Sequence, residues 1–407
     1  MRIGLFTEVY KPYISGVATS VMMLKKSLEK MGHKVYVVTI NLDAMKYEYD
    51  EKERVLRVPG IESGIYENIK VSSIYPIRST NIISKWKLDI IHTHTEGSIG
   101  SYGRLLAKQF NIPVVHTYHT MYGDYAYKFA NGKFTKITDM ILGYASRFMC
   151  DTTISELIVP SKKAYDLFKE KYKVERTVHI IPNGVEIDRF FREKQDKKEL
   201  LDLKAKYNIK YNDFVMMYLG RVSEEKNIDF LIEAHKKIVK KCKNAKLMIV
   251  GDGPDLDKLK KIVNKYKLED NVIFTGMVKW DEVPKYYNIG NIFTTASFTE
   301  NHSMTVIEAM AASLPLVVAE DNGVCFAVVE DLNGYTFKDK NKYIKIIEDL
   351  YNNTSRLERL SKQARLSSLP YSDKYYAEKV MDVYFIACKG IKVSKVSQII
   401  NKLKGNK

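Results

Sequence analysis

Cysteine is scarce in this chain of 407 residues, and so is any mark of a membrane span or a small disulfide scaffold. The four cysteines, Cys150, Cys242, Cys325 and Cys388, stand far apart, without the close spacing of metal ligands. They read as buried, reduced thiols of a cytosolic protein. No stretch approaches the roughly 18 apolar residues that a spanning helix requires. The chain opens directly on a strand-like run, Ile3 to Phe6, so no signal peptide is expected. Zinc-finger spacings and the aromatic stretch of an RNA-recognition sheet are missing, which argues against nucleic acid as a partner.

What is present is the composition of a folded protein, with 45% hydrophobic and 28% charged residues. The length exceeds one ordinary core and fits two domains. Lys and Arg number 65 against 49 acidic residues, a net charge of +16. The excess is spread: residues 1–190 hold 27 basic and 20 acidic residues. An anionic membrane surface or anionic small molecules suit such a charge, and so does a lysine-rich bias that does nothing.

Strand-like and helix-like stretches alternate along the chain. Arg2 to Thr7, Gly32 to Ile40 and Thr152 to Ser155 read as strands, and Leu88 to Gly100 and Ile112 to Tyr122 each open on a buried strand that runs into a polar loop, with helices at about Val17 to Met31, Ile99 to Phe110, Phe134 to Phe148 and Lys162 to Lys171. Residues 41–57 are polar and acidic and read as a surface connection. After a charged stretch, Arg192 to Lys206, the alternation resumes with Phe214 to Leu219, a helix from about Ile228, and strands near Lys246 and Asn271. Continuous apolar runs of this kind are buried parallel strands, and ligands gather beyond their C-terminal ends.

The segment Asn291 to Gly323 organises the rest. It reads as a strand, a polar loop, a helix from Met304 to Ala312, and a second strand from Leu316 to Ala319. Glu300 falls in the loop and Glu308 one turn into the helix. The N–H groups and dipole at such a helix start favour an anion, and carboxylates nearby can accept from sugar hydroxyls. A glutamate at a helix start is also favoured by the dipole alone. Gly220-Arg221 and Lys226 place two cations on a loop that follows a strand, an arrangement suited to a diphosphate whose charge grows as a bond to it breaks. Gly16 opens the first helix, where a missing Cβ would let a phosphate approach the backbone. His92, His94, His116 and His119 cluster at two strand ends. Without a third ligand at helical spacing, substrate contact is a better reading than metal binding, and His92 and His116 read as strand residues with satisfied ring nitrogens.

These pieces together resemble the retaining, nucleotide-sugar-dependent glycosyltransferases of family four, over nearly the whole chain. The two glutamates match its E-x7-E motif, Gly220-Arg221 to Lys226 its GR-x4-K pattern, and Thr117-Tyr118-His119 its T-x-H. The resemblance implies an α/β, GT-B fold: two Rossmann-like domains with a central cleft and a C-terminal helix crossing back to the first. The N-terminal acceptor domain would be residues 1–190 joined by 370–407, and the donor domain 191–369. Arg221 and Lys226 would hold the diphosphate, Glu308 the ribose, and Met277 and Val278 would face the base. Glu300 and the loop Asn301, His302, Ser303, Met304 and Thr305 would hold the hexose, with His119 and Gly16 reaching the donor from the N-terminal domain. Glu300 and His119 are the catalytic candidates, Glu300 by positioning and charge stabilisation rather than as a nucleophile. The family's commoner glycines are replaced at Ser303 and Ser313, small changes beside the donor. No metal and no cofactor are required, since cations of the protein serve the diphosphate.

Within the family, MRIGLFTEVYKPYISGVATSV, IHTHTEGSIG and HTYHTMYGDYAYK look most like the bacterial branch that glucosylates diacylglycerol at the membrane surface. That branch carries a strongly basic helix before the IHTH strand. Here Ile65 to Lys87 has only Lys70, Arg78, Lys85 and Lys87, and Pro76 would interrupt a helix. Lys389 to Lys407 holds six lysines and no acidic residue, with Val393, Val396, Ile400 and Leu403 on one helical face. That makes either a frayed tail or a basic amphipathic helix for anionic lipid. The expected partners are a nucleotide-sugar donor, a lipid acceptor and an anionic membrane surface, with the protein peripheral on the cytoplasmic face. A soluble or wall-polymer acceptor and an inactive nucleotide-sugar-binding scaffold are the alternatives. Donor sugar, base and oligomeric state are not read from the sequence.

Overall fold

The computed structural model describes the chain except residues 14, 43–44, 63–69, 74, 120–134, 299 and 405–407; for 62, 135–139, 142 and 391–404 it describes the backbone alone. Most of HTYHTMYGDYAYK and the apolar and basic faces of the tail therefore lie outside the described residues. The chain divides into two compact units, Met1–Gly184 with Asp373–Lys407, and Val185–Ser372.

The first unit is built on an eight-stranded sheet. From edge to edge its strands are Val178–Ile180, Glu156–Val159, Val114–Thr117, Ile90–Thr93, Arg2–Phe6, Lys34–Asn41, Val55–Pro59 and Glu48–Asp50. All pairs are parallel except the last. Alternation along Arg2–Phe6 sends Ile3 and Leu5 to one face and Phe6 to the other, the period-two rule of a strand. On the first face lie the helix Gly16–Lys30, through Val21, Leu24 and Leu28, and the long helix Asp373–Lys404, through Tyr376, Val380, Met381 and Tyr384. On the second face lie Ile83, Trp86, Tyr102, Leu106 and Phe168. Ser27 Oγ donates to Asp373 at 2.7 Å, and Ser20 Oγ to Asn183 at 3.0 Å, so the C-terminal helix and the last strand's exit are tied to the first helix.

The second unit carries a six-stranded, wholly parallel sheet in the order Val272–Phe274, Ala245–Val250, Phe214–Leu219, Ile292–Thr295, Leu316–Ala319, Gly334–Phe337. Helices Ile228–Ile238, Leu256–Tyr266 and Lys340–Asn352 cover one face. Met304–Ala311, Val283–Asn288 and Ala364 of Thr354–Ser368 cover the other. With both faces covered, the central strands are apolar throughout, as in Phe214–Leu219.

Three local expectations are corrected. Residues 41–57 are not merely a surface connection: Val55–Pro59 pairs in parallel with Lys34–Asn41 and buries Val55, Leu56 and Val58. Its short apolar run directly follows five charged residues, Asp50 to Arg54, so composition masked it. Thr152 and Thr153 end the helix Thr135–Thr153 instead of starting a strand, and the strand is Glu156–Val159. Their hydroxyls donate to the carbonyls of Phe148 and Met149, the back-bonding that lets β-branched residues close a helix. Pro76 does not interrupt a helix but precedes one, Ile77–Ser84, whose first turn has no use for the N–H that proline lacks. Within the charged stretch, Asp196 caps a helix, Lys197–Lys206, by accepting from Lys198 and Glu199. Cys150 and Cys242 are buried, whereas Cys325 and Cys388 are half-buried. No helix among the described residues is long and apolar enough to cross a membrane.

Candidate active site

Because the second sheet is parallel, the loops that follow its strands emerge at one edge, and most of the singled-out residues lie there. The turn after Phe214–Leu219 carries Gly220 and Arg221. The Tyr218 hydroxyl donates to the Arg221 carbonyl at 3.0 Å, which fixes the turn and leaves the Arg221 side chain exposed. Gly251, after the neighbouring strand, has φ +134°, and a Cβ there would stand 2.0 Å from the Gly220 carbonyl oxygen. The Gly-Asp-Gly turn is thus the surface on which the cationic turn rests.

Lys226 closes a short 3-10 turn, Glu224–Lys226, and its Nζ pairs with Glu300 Oε1. Further bonds join the same two loops: Asn227 Nδ2 donates to the Ala296 carbonyl at 3.3 Å, and Ser297 Oγ to the Glu225 carbonyl at 3.4 Å. The two motifs, 74 residues apart, form one structure. The Lys226–Glu300 pair is only partly shielded from water, so its value is in placing a cation beside a carboxylate rather than in stability.

Past Glu300, residues Asn301, His302 and Ser303 are buried. The His302 ring stacks on Phe326, centroids 4.0 Å apart, and Ser303 donates its N–H to the Gly323 carbonyl at 2.9 Å. Ser303 occupies the N-cap of Met304–Ala311, but its hydroxyl bonds Thr305 Oγ1 at 2.9 Å instead of capping the backbone. The helix start therefore lacks a side-chain cap, in keeping with a place for an anion. Glu308 is buried, and Tyr287 donates its hydroxyl to Oε2 at 2.9 Å. Burial raises the Glu308 carboxyl from 4.5 to about 7, partly offset by that hydrogen bond, while burial and Glu308 push Tyr287 well up and keep it a donor. Met277 is exposed just beyond Val272–Phe274, and Val278 is half-buried against the core.

Gly16 and His119 belong to the first unit. Gly16 begins the helix Gly16–Lys30, with open space where a Cβ would point, and Ser15 caps the helix by accepting from Ala18 at 3.2 Å. His119 follows Val114–Thr117, and its Nε2 lies 3.1 Å from His94 Nδ1. Burial lowers His119 to about 4, so its ring is neutral at physiological pH. His92 is held by Tyr384 and Thr117, both at 2.7 Å, and His116 by Thr93 at 2.8 Å and Glu96 at 3.2 Å; both are structural, as the strand pattern indicates.

Three residues here escape sequence reasoning. Tyr287 reaches Glu308 from the helix just before the organising segment, and Gly323 reaches Glu300 from that segment's far end, neither with a local signal. Glu8 is the third: its Oε1 accepts from Ile99 N–H at 2.7 Å at the start of the helix Ser98–Phe110, and burial raises it to about 7. A lone acidic residue just past an apolar strand was the available clue.

Two Rossmann-like halves of parallel sheet and covering helices make the GT-B fold. HepE of Anabaena in complex with UDP-glucose has this architecture, with a TM-score of 0.71 at 16% identity, covering 94% of this chain and 99% of that one. Residues 14–189 match Glycosyltransferase Family 4, and residues 201–367 match Glycosyl transferases group 1. The alpha-monoglucosyldiacylglycerol synthase of Acholeplasma laidlawii is 37% identical over 395 residues, which is 94% of this chain and 96% of the relative. The synthase of the same name from Streptococcus pneumoniae is 35% identical, over 81% and 74%. The chain belongs to glycosyltransferase family four.

Proposed function

We propose that the chain transfers glucose, with retention of configuration, from UDP-glucose to the free hydroxyl of diacylglycerol at an anionic membrane surface. The identity to a named alpha-monoglucosyldiacylglycerol synthase along nearly the full length of both chains carries this reading. Arg221 and Lys226 bind the diphosphate and stabilise the charge that grows on it as the glycosidic bond breaks. Glu300, oriented by Lys226, accepts from the hexose hydroxyls, and Asn301 to Thr305 line the hexose with the open helix start beside them. Glu308 accepts from the ribose, Met277 and Val278 flank the base, and Gly16 and His119 contribute donor contacts from the first unit. No protein nucleophile is assigned, and the protein's own cations take the part that a metal plays elsewhere.

The test is transfer from a panel of UDP- and GDP-sugars, with and without mixed anionic vesicles containing diacylglycerol. Glucose should appear in lipid from UDP-glucose, and only when vesicles are present. Sugar transferred to a water-soluble acceptor regardless of vesicles would replace the lipid reading. Tight UDP binding with no turnover of any donor would replace the enzyme reading by a scaffold.

A further inference from the structure

Away from the donor residues, the second unit has a cavity of about 710 Å³. It opens between the helices Lys197–Lys206 and Thr354–Ser368 and the turn that ends Met304–Ala311. Ser313, on that turn, leads through Leu314 and Pro315 into the strand Leu316–Ala319. The cavity therefore lies at the edge where that strand begins. Arg221, Lys226 and Glu300 follow their strands and stand at the opposite edge of the same parallel sheet.

Charge in the cavity is one-sided. Arg192, Lys197, Lys362 and Arg365 line it, against Glu193 alone. Arg365 pairs with Glu193 and lies over the Phe191 ring, 3.7 Å from its centroid, so those two charges match each other. The Arg192 guanidinium donates to the Gly290 carbonyl at a long 3.4 Å, and Lys197 and Lys362 have no ion pair among the described residues. Beside them, Lys204 is lowered first by burial and then by the Arg192 charge, with Asp213 opposing, so the charge of Arg192 is felt and not cancelled. Lys197 is also the first residue of its helix, where the dipole favours an anion and works against a lysine. Exposed lysines alone would mean only a solvated face; the backbone at Ser313 is the independent observation. Its φ is +64°, the left-handed region that glycine enters freely and a side chain enters under strain. The Ser361 hydroxyl donates to the Ser313 carbonyl and fixes the turn. The Ser313 hydroxyl lines the cavity and makes no hydrogen bond among the described residues. A hydroxyl held there against backbone strain, beside three uncancelled cations, is a donor for an anionic oxygen.

We propose that this cavity is a second anion site, which binds the phosphate monoester of an organic molecule through Arg192, Lys197, Lys362 and the Ser313 hydroxyl. It is separate from the residues assigned to the diphosphate, Arg221 and Lys226, and does not depend on the sugar-transfer reading. A monoester dianion suits a planar guanidinium fork flanked by two ammonium groups. The rest of the wall is apolar, from Leu200, Leu366 and the lysine stems, and the space exceeds a bare ion, so the phosphate arrives on an organic body that covers the leucines.

A soluble phosphorylated metabolite and a lipid headgroup both offer this chemistry. Calorimetric titration of the full-length protein with glycerol 3-phosphate tests the first source. Sedimentation with phosphatidylcholine vesicles carrying phosphatidic acid, against phosphatidylcholine alone, tests the second. Saturable binding of one probe or both is expected, and the probe that binds names the source. Replacing the two exposed lysines together, Lys197→Gln with Lys362→Gln, should weaken that binding roughly 10-fold or more. Ser313→Gly should weaken it about 3-fold or more, yet unfold at the wild-type temperature or above, since glycine relieves the turn. Arg221→Gln, at the donor edge, should leave it unchanged. No saturable binding of either probe, binding that persists undiminished in the lysine pair or in Ser313→Gly, or binding lost in Arg221→Gln would overturn the proposal.

Discussion

At position 308 a carboxyl sits where water does not reach, and the Tyr287 hydroxyl donates to it. Its folded pKa of about 7 lies above the ordinary 4.5, so between those values the folded state binds more protons than the unfolded. Stability therefore falls as pH rises through that window, and the loss is complete above about 7. The full shift corresponds to roughly 3–4 kcal/mol at pH 8. Glu308→Gln keeps the acceptor for Tyr287 and removes the charge. Thermal unfolding should show it more stable than wild type at pH 8 and nearly equal at pH 4.5, while its KM for UDP-glucose rises. A variant equally stable at both pH values would show that Glu308 is not the group titrating. Burial that costs stability yet persists is what a binding carboxylate does, and a structural one would be replaced without loss. Glu8 has the same sign and adds to the same pH window.

Among the elements, the helix Met304–Ala311 is held at its start by contacts from the far side of the next strand. Gly323 touches Glu300 so closely that a Cβ would fall 1.8 Å from the Glu300 carbonyl oxygen, and its own carbonyl receives the Ser303 N–H. Gly323→Ala must move one loop or the other. We expect kcat to fall at least about 10-fold as Glu300 shifts, the cost of misplacing a group by an ångström or less, with a melting point that changes much less than activity. Full activity in the alanine variant would mean the two loops give way independently. The strands and helices around this loop were readable, because Phe214–Leu219, Ile292–Thr295 and Leu316–Ala319 are apolar runs whose period needs no partner to be seen. Val55–Pro59 was not, since its burial depends on pairing with Lys34–Asn41. Thr152 and Thr153 misled because their branched side chains suit a strand and a helix end alike.

For the molecule as a whole, charge makes the prediction. The net +16 is spread over both units, and the last helix continues to Lys404. If the lysine-rich end lies on anionic lipid, replacing Lys395, Lys402 and Lys404 by Glu should weaken sedimentation with anionic vesicles and leave binding of UDP intact. Wild-type binding should fade as salt approaches about 1 M, where charges are screened beyond about 3 Å. Vesicle binding that ignores both changes would place the membrane contact elsewhere on the protein.

The sequence by itself determined the α/β alternation, the GT-B class and the positions of Arg221, Lys226, Glu300, Glu308 and His119, because hydrophobic period and short motifs are local properties of a chain. Only the tertiary structure decided that Lys226 reaches Glu300 across 74 residues, that Tyr287 meets Glu308, and that His94 bonds His119. The first and third pairings follow from parallel strands, which deliver distant loops to one edge of a sheet, and the second from the helices Val283–Asn288 and Met304–Ala311 packing on one face. The same holds for protonation: a carboxyl and an imidazole take their folded pKa values from how deeply they are buried and what stands beside them, and neither is written in the residues next to them in the chain.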